Sequence, residues 1–419
     1  MLSNTEREYL RDLAKKQMEL ANSSIMKERE ALWYDHNECK GTRPMIAVGE
    51  GHYWRELFPQ VQCEDSLARE MEYALQNQVQ RVHLIGDDRV TPDFFALTYG
   101  VRGPVGGLGE KSVKPSSGYA SDGTSGYHII PQIEIIEDDF HKLRPTELHF
   151  PKEELLQKKA RMEDIIGDIM PVKLVNATNN WGPSPMRDVI SLMGMENAYI
   201  AMASEPEEFH RLMEFLTNET IRLYRFEEEN GCMYRNTGNH ETGSGNWCFT
   251  RELPGPDCPE PAKSTETWGH LNAEDAAEIS PAMFREFILP YQQRLARELG
   301  LIYYGCCEKA SRFWENGIDQ IPNVRKVSIS PWCDEAYMGE QLAGKKVIFS
   351  RKPKDYMYLG TNQAFDEEAF RSNIRQTVAA SRGCKTEYIV RDILTLHGNV
   401  HKIKRAVEII REETEDSYR

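Results

Sequence analysis

The chain has 419 residues, 40% of them hydrophobic, with 66 acidic residues against 51 basic ones and a formal net charge of −15. That supplies a sizeable core for one large α/β domain or two ordinary ones, and it disfavours a nucleic-acid partner, which needs clustered Lys and Arg. No run of eighteen apolar residues is present to cross a bilayer, and nine cysteines scattered over so long a chain fit a reducing cytoplasm better than a disulfide framework.

The first residues are charged and helix-like with no apolar core of a secretory signal. Residues 3–38 carry a helical pattern, read as an N-terminal extension over 1–40 in front of a domain spanning 41–419. Residues 43–48 read as a first strand, ending at Gly49-Glu50-Gly51-His52. A helix over 66–78 follows, and 82–85 reads as a second strand ending at Gly86-Asp87-Asp88. The stretch 100–126 is rich in glycine and serine and includes Gly106-Gly107-Leu108-Gly109. No lysine follows in P-loop register and the dinucleotide spacing is missing, so a surface or active-site loop is expected.

From residue 153 the pattern becomes regular. A helix over 153–169 leads to a strand over 172–175 and then to Trp181-Gly182-Pro183. Helices over 186–193 and 205–230 follow, with an apolar turn at 198–202 and Pro206 in the first turn of the second helix. A polar loop, Asn239-His240-Glu241-Thr242-Gly243-Ser244-Gly245, and a proline-rich segment over 254–261 precede Thr267-Trp268-Gly269-His270. A helix over 280–299 opens at Ser280-Pro281. Strands are expected over 301–304, 327–330, 345–349 and 385–390, with helices over 335–342, 367–381 and 402–412. Strand alternating with helix about eight times over this length predicts an α/β fold of the (β/α)8 TIM-barrel type, with an open doubly wound sheet as competitor.

The stretch Leu301-Ile302-Tyr303-Tyr304-Gly305-Cys306-Cys307-Glu308 is the most informative. An apolar, aromatic strand bounded by glycine ends in two adjacent thiols and a carboxylate. The thiols are buried small residues, metal ligands or a nucleophile. In regular strand geometry Cys306 and Cys307 cannot both point inward, so either the strand breaks there or one of them faces the mouth. If the strand ends converge as in a barrel, they bring together Cys306, Cys307 and Glu308, Cys333 and Asp334, Arg351 and Lys352, and Asp392, with His240, Glu241 and His270 nearby. Each has a plainer reading: Arg351-Lys352 as a solvated strand end, Asp392 as a salt-bridge partner, His270 as a packed histidine beside Trp268, and His240-Glu241 as exposed. Two cations at a mouth in an acidic chain are expected to meet a carboxylate of the chain or of a ligand, with Arg351 as the bidentate partner.

Several successive motifs, Trp181-Gly182-Pro183, Leu192-Met193-Gly194, Glu205-Pro206-Glu207, Ile279-Ser280-Pro281-Ala282-Met283-Phe284, Leu289-Pro290-Tyr291 and the Cys-Cys strand end, give more than half the chain a likeness to known proteins. In this order they resemble the uroporphyrinogen decarboxylase superfamily, whose fold is a (β/α)8 barrel. Arg43-Pro44-Met45-Ile46-Ala47-Val48 lacks the further arginines of the porphyrinogen decarboxylase motif. The likeness is therefore to the branch of zinc methyltransferases that exchange methyl groups with corrinoid proteins. That branch binds zinc through an H-x-C motif at this strand. Here Tyr304 stands at the histidine position and Cys306 at the cysteine position, which leaves Cys307 and Glu308 as further donors.

The resemblance thus implies a zinc ion on Cys306, Cys307 and Glu308, with Cys307, Glu308 and Asp392 in catalytic roles. His240, Glu241, Trp268, His270, Tyr304, Trp332 and Arg351 would line the substrate site. The implied partners are a small methylated or methoxylated substrate and a corrinoid protein, with neither nucleic acid nor membrane, and with a homodimer as a further assembly to consider. A decarboxylase or lyase acting without a cofactor, and a binding barrel without catalysis, are the alternative functions.

Overall fold

The computed structural model describes residues 2–49, 51–113, 127–179 and 184–415. The elements that place the site are α1 (Asn4–Ala21), α2 (Ser24–Asn37), β1 (Met45–Val48), α3 (Ser66–Leu84), β2 (Phe95–Tyr99), α4 (Lys152–Ile166), β3 (Val172–Asn176) and α5 (Pro206–Glu229). After them come β4 (Trp268–Leu271), α6 (Leu289–Arg297), β5 (Leu301–Tyr304), β6 (Val324–Ile329), α7 (Glu335–Leu342), β7 (Ile348–Arg351), α8 (Glu367–Ala380), β8 (Lys385–Val390) and α9 (His401–Thr414). The motif Trp181-Gly182-Pro183 and most of the glycine-serine stretch beyond Val113 lie outside the described residues.

Six strands form one parallel sheet in the order β1-β8-β7-β6-β5-β4, and β2 pairs with β3 in a second parallel ladder. Among the described residues no ladder joins the two sheets, and side chains cover the free edges instead. On the β1 edge the Asp88 N–H donates to the Ile46 carbonyl at 2.8 Å, while the Asp88 and Asp87 carboxylates accept the N–H groups of Ile46 and Val48 at 2.8 and 2.9 Å. On the β4 edge the Asn236 amide accepts the Trp268 N–H at 2.7 Å and donates to its carbonyl at 2.9 Å. Each edge group thus finds the partner that a buried peptide requires.

One expected strand is a helix. Residues 82–84 continue α3, whose buried face repeats Leu67, Met71 and Leu75 at four-residue spacing, and Arg81 in its last turn pairs with Asp87 at 2.9 Å. A short apolar run such as 82–85 suits either element, and the period running into it decides. Gly86 at φ +75° then turns the chain so that Asp87 and Asp88 reach β1.

In-register partners of a parallel ladder share a face. His270, Tyr303 and Lys326 stand on the inner face, as do Ser328, Ser350, Glu387 and Met45. The other face packs on the helices: Ile302, Tyr304, Val327 and Phe349 join the core around α5 and α6, and Tyr388 and Val390 join α8 and α9. This inner face is polar, and α2 closes it at the amino ends of the strands. There the buried Lys326 ammonium lies 2.8 Å from the Glu387 carboxylate, which also meets His36 at 3.1 Å, with Trp33 and Trp268 on either side of the ammonium.

Both first helices are packed in, α2 against β1 and β8 and α1 in a separate apolar cluster. Ser3 and Glu6 form a capping box at the start of α1, whose Leu10, Leu13 and Ala14 pack on α3 and α4. None of the helices among the described residues is long and apolar enough to cross a membrane.

Candidate functional site

The thiol pair sits where β5 ends. Gly305 takes φ +93°, and a Cβ there would stand 3.1 Å from that of Ser328, so the turn calls for glycine. The strand breaks at this point, which frees the two cysteines from alternation. Their Sγ atoms lie 3.6 Å apart, and a carboxylate oxygen of Glu274 joins them with all three donor atoms within 4.8 Å of one another. Cys306 is buried; Cys307 and Glu274 are half-buried.

Neighbouring strands hold this turn in place. Ser328 Oγ on β6 and Lys352 Nζ just beyond β7 both donate to the Cys306 carbonyl, at 2.7 and 2.6 Å. The Glu308 carboxylate accepts the N–H of Cys306 at 2.7 Å and that of Ala273 at 2.9 Å, tying the β5 end to the segment that carries Glu274. His270 Nε2–H donates to the Gly305 carbonyl at 3.0 Å. Burial holds the His270 pKa down to about 4, so the ring is neutral at pH 7.

The two thiols lie within hydrogen-bond reach of each other. Its hydrogen bond to Cys307, together with burial, pushes the Cys306 thiol up, while accepting that bond pulls the Cys307 thiol down. Burial works against the Lys352 ammonium, but Tyr303 and the cysteines carry it above its ordinary range, so it stays charged beside the sulfurs.

The remaining sequence-derived candidates divide by the face they occupy. Glu308 stands in the cluster, but both its oxygens are taken by backbone amides, so the third donor beside the thiols is Glu274. Tyr304 points away from the inner face and donates to Gln292 Oε1 on α6 at 3.1 Å. Arg351 also points outward: β7 begins at Ile348 and runs through Arg351, three residues later than the expected start. Fully buried, it donates to the carbonyls of Ile329 and Ser330 and pairs with Glu335 on α7. The cation that reaches the site is Lys352. Trp268 lies deep on the inner face against Lys326, and Trp332 is exposed, stacked on Tyr356 with ring centres 6.2 Å apart.

His240 and Glu241 belong to an element that the polar composition of 239–245 does not announce. Glu241–Thr242 and Asn246–Trp247 form a hairpin inserted along the inner face. Gly243 touches His270 and Tyr303, Gly245 touches Ile389, and Trp247 packs with Met45 and Ala47. Glu241 lines a cavity of about 310 Å³ at the carboxyl ends of β1 and β8, which also receives Arg391 and Asp392. His240 lies behind it, stacked near Phe94 and holding a pKa of about 4 through burial.

No family model and no curated protein matches the chain. Solved structures do match. A methyltransferase from Methanosarcina mazei superposes with a TM-score of 0.51 at 12% identity, covering 91% of this chain and 98% of that one. The chain has a methyltransferase-like fold. At 12% identity the likeness speaks for the fold, and the chemistry has to be read from the site.

Of the residues that build the site, Glu274 carries no signal in the sequence, and Lys352 takes a larger part than its pairing with Arg351 suggests. Glu274 lies three positions beyond β4, where residues just past a strand end are natural candidates, but the run Trp268-Gly269-His270-Leu271 does not announce itself as a strand. Lys352 was paired with Arg351 and given the secondary role, because the ladder's true end was two residues later than expected.

The donor set suits a zinc ion. Two thiolates on tetrahedral zinc, each about 2.3 Å from the metal, stand roughly 3.8 Å apart. The observed 3.6 Å between the thiols is close to that, and the Glu274 oxygen, within 4.8 Å of both sulfurs, is the third donor in reach.

Proposed function

We propose that this chain is a methyltransferase of the uroporphyrinogen decarboxylase-like superfamily that moves a methyl group from a small methylated substrate to a corrinoid protein. The observation that carries the reading is the convergence of Cys306, Cys307 and Glu274 at one strand end of a methyltransferase-like fold. In this reading the eight parallel strands β1 to β8 close as a (β/α)8 barrel, the two seams being spanned by Asp87, Asp88 and Asn236. The corrinoid partner approaches the carboxyl ends of the strands, the face on which catalytic groups gather in such barrels.

Cys306, Cys307 and Glu274 would hold zinc, which as a Lewis acid polarises the atom bearing the methyl group. The chain's own part is to fix the donors. Glu308, Ser328 and Lys352 pin the Cys306 peptide, His270 pins the turn at Gly305, and the Lys352 charge favours the thiolate forms. The hairpin carrying Trp247 fills the inner face and leaves a pocket beside the site rather than an open channel.

The test is incubation of zinc-loaded protein with cob(I)alamin and a panel of methylated compounds, read as methylcobalamin by absorption. Methyl transfer that falls at least a hundredfold in Cys306→Ser and Cys307→Ser, alongside loss of zinc by elemental analysis, is the expected result. Release of carbon dioxide from a carboxylated substrate without cobalamin would instead identify a lyase.

A further inference from the structure

The cavity at the ends of β1 and β8 is lined by two ion pairs. Arg391 Nε donates to Asp392 Oδ1 at 2.9 Å on one side, and Arg89 faces Glu241 at 4.0 Å on the other. Both carboxylates are substantially exposed, at 42% and 40%, while the arginines are more enclosed, at 20% and 17%. Trp247 and Tyr73 supply aromatic wall, and Gly243 and Gly245 of the hairpin complete the lining. The four charges sum to zero. The Asp392 charge also bears on Cys307, and that of Arg391 on both cysteines.

This lining discriminates among ligands. An uncharged methoxylated ring would desolvate two ion pairs and return no charged hydrogen bond to either. A simple anion would be drawn by the arginines and repelled by the carboxylates, and a simple cation would meet the reverse. A molecule carrying both charges meets both. Its carboxylate fits the planar guanidinium of Arg391 or Arg89, and a methylated ammonium suits carboxylates beside an aromatic face. The available 310 Å³ accommodates a compact molecule of this kind.

We propose that the cavity binds a small zwitterion with an N-methylated ammonium and a carboxylate, Asp392 and Glu241 facing the ammonium and the two arginines facing the carboxylate. The inference rests on the methyl-transfer reading for its meaning as a substrate class, but the binding itself is tested without corrinoid or turnover.

Four probes of similar size separate the contributions by calorimetry and ligand-detected NMR: trimethylglycine, 3,3-dimethylbutanoate (the same shape without the positive charge), tetramethylammonium, and anisole. Trimethylglycine should bind at least tenfold more tightly than each of the others. Asp392→Asn should cost it about tenfold while strengthening 3,3-dimethylbutanoate, which loses a repelling carboxylate. Position 392 has φ +64°, which asparagine tolerates, so this variant keeps the fold. Equal binding of the four probes, absence of trimethylglycine binding, or anisole as the tightest ligand would each overturn the proposal. Tight trimethylglycine binding without methyl transfer would sink the reading of the reaction and leave the ligand class standing. Transfer from a methoxylated ring with no zwitterion binding would do the opposite.

Discussion

Replacing Lys326 by methionine tests the buried charge cluster that closes the inner face. Lys326 and Glu387 have fully buried side chains 2.8 Å apart, and His36 is the carboxylate's other charged or polar neighbour at 3.1 Å. Burial pushes the Glu387 pKa up, but Lys326 and His36 outweigh it and hold the carboxyl at about 2. His36 cannot stand in for the lysine, because burial favours its neutral ring. Lys326→Met therefore leaves a carboxylate without a counter-charge, a change that costs about 3–5 kcal/mol. Over 419 residues the unfolding entropy near 60 °C is about 0.9 kcal/mol/K, so the melting temperature should fall by roughly 3–6 °C if the chain unfolds as one unit.

Urea denaturation followed by circular dichroism is the more direct assay. The double variant Lys326→Met with Glu387→Met should recover most of the loss, since an apolar pair replaces the ion pair without stranding a charge. The pH dependence gives a second check. In the wild type Glu387 is depressed, so its stabilisation is present above the ordinary carboxylate range and lost only as pH falls toward 2. In Lys326→Met the carboxyl is raised instead, and the variant gains relative stability as acid protonates it, so the gap narrows from pH 8 to pH 5. A loss under 1 kcal/mol, or a double variant no better than the single one, would refute the reasoning.

Two further outcomes follow from the geometry. Burial at Glu227 outweighs the nearby Thr178 and Asn176 and lifts its carboxyl to about 7; the folded chain thus holds a proton that the unfolded chain releases, and stability should fall by about 3 kcal/mol as pH rises from 4.5 through 7. Glu227→Gln should remove that fall and be the more stable protein at pH 8, so parallel denaturation profiles for the two proteins would be the contrary result. Glu308→Gln should lower the stability of the metal-free protein by about 1–3 kcal/mol, because an NH2 group would then face a backbone N–H. Glu274→Gln should leave that stability nearly unchanged and weaken zinc binding in a competition titration. The reverse pattern would restore Glu308 as the third donor.

What the chain's own residues determined was the period and the punctuation. Alternating strand and helix patterns, Pro206 and Pro281 at helix starts, and a glycine-bounded strand ending in two cysteines all mark elements and a chemically unusual turn. These signals are local, so they survive without tertiary context. Three matters were decided only by packing. Residues 82–84 are helical because the buried stripe of α3 runs up to them, and no short apolar run carries that information by itself. Arg351 and Lys352 exchange expected roles because β7 runs on through Arg351, so the ladder's alternation sends Arg351 outward with Ile329 and Tyr388 and leaves Lys352 just past the strand end, over the thiol turn. Glu274 joins the thiols from beyond β4, and Glu308, though beside them, is taken up as acceptor for the Cys306 and Ala273 amides at two different strand ends. Residues so distant in the chain meet only when the sheet sets β4 beside β5, and that neighbourhood is a property of the fold.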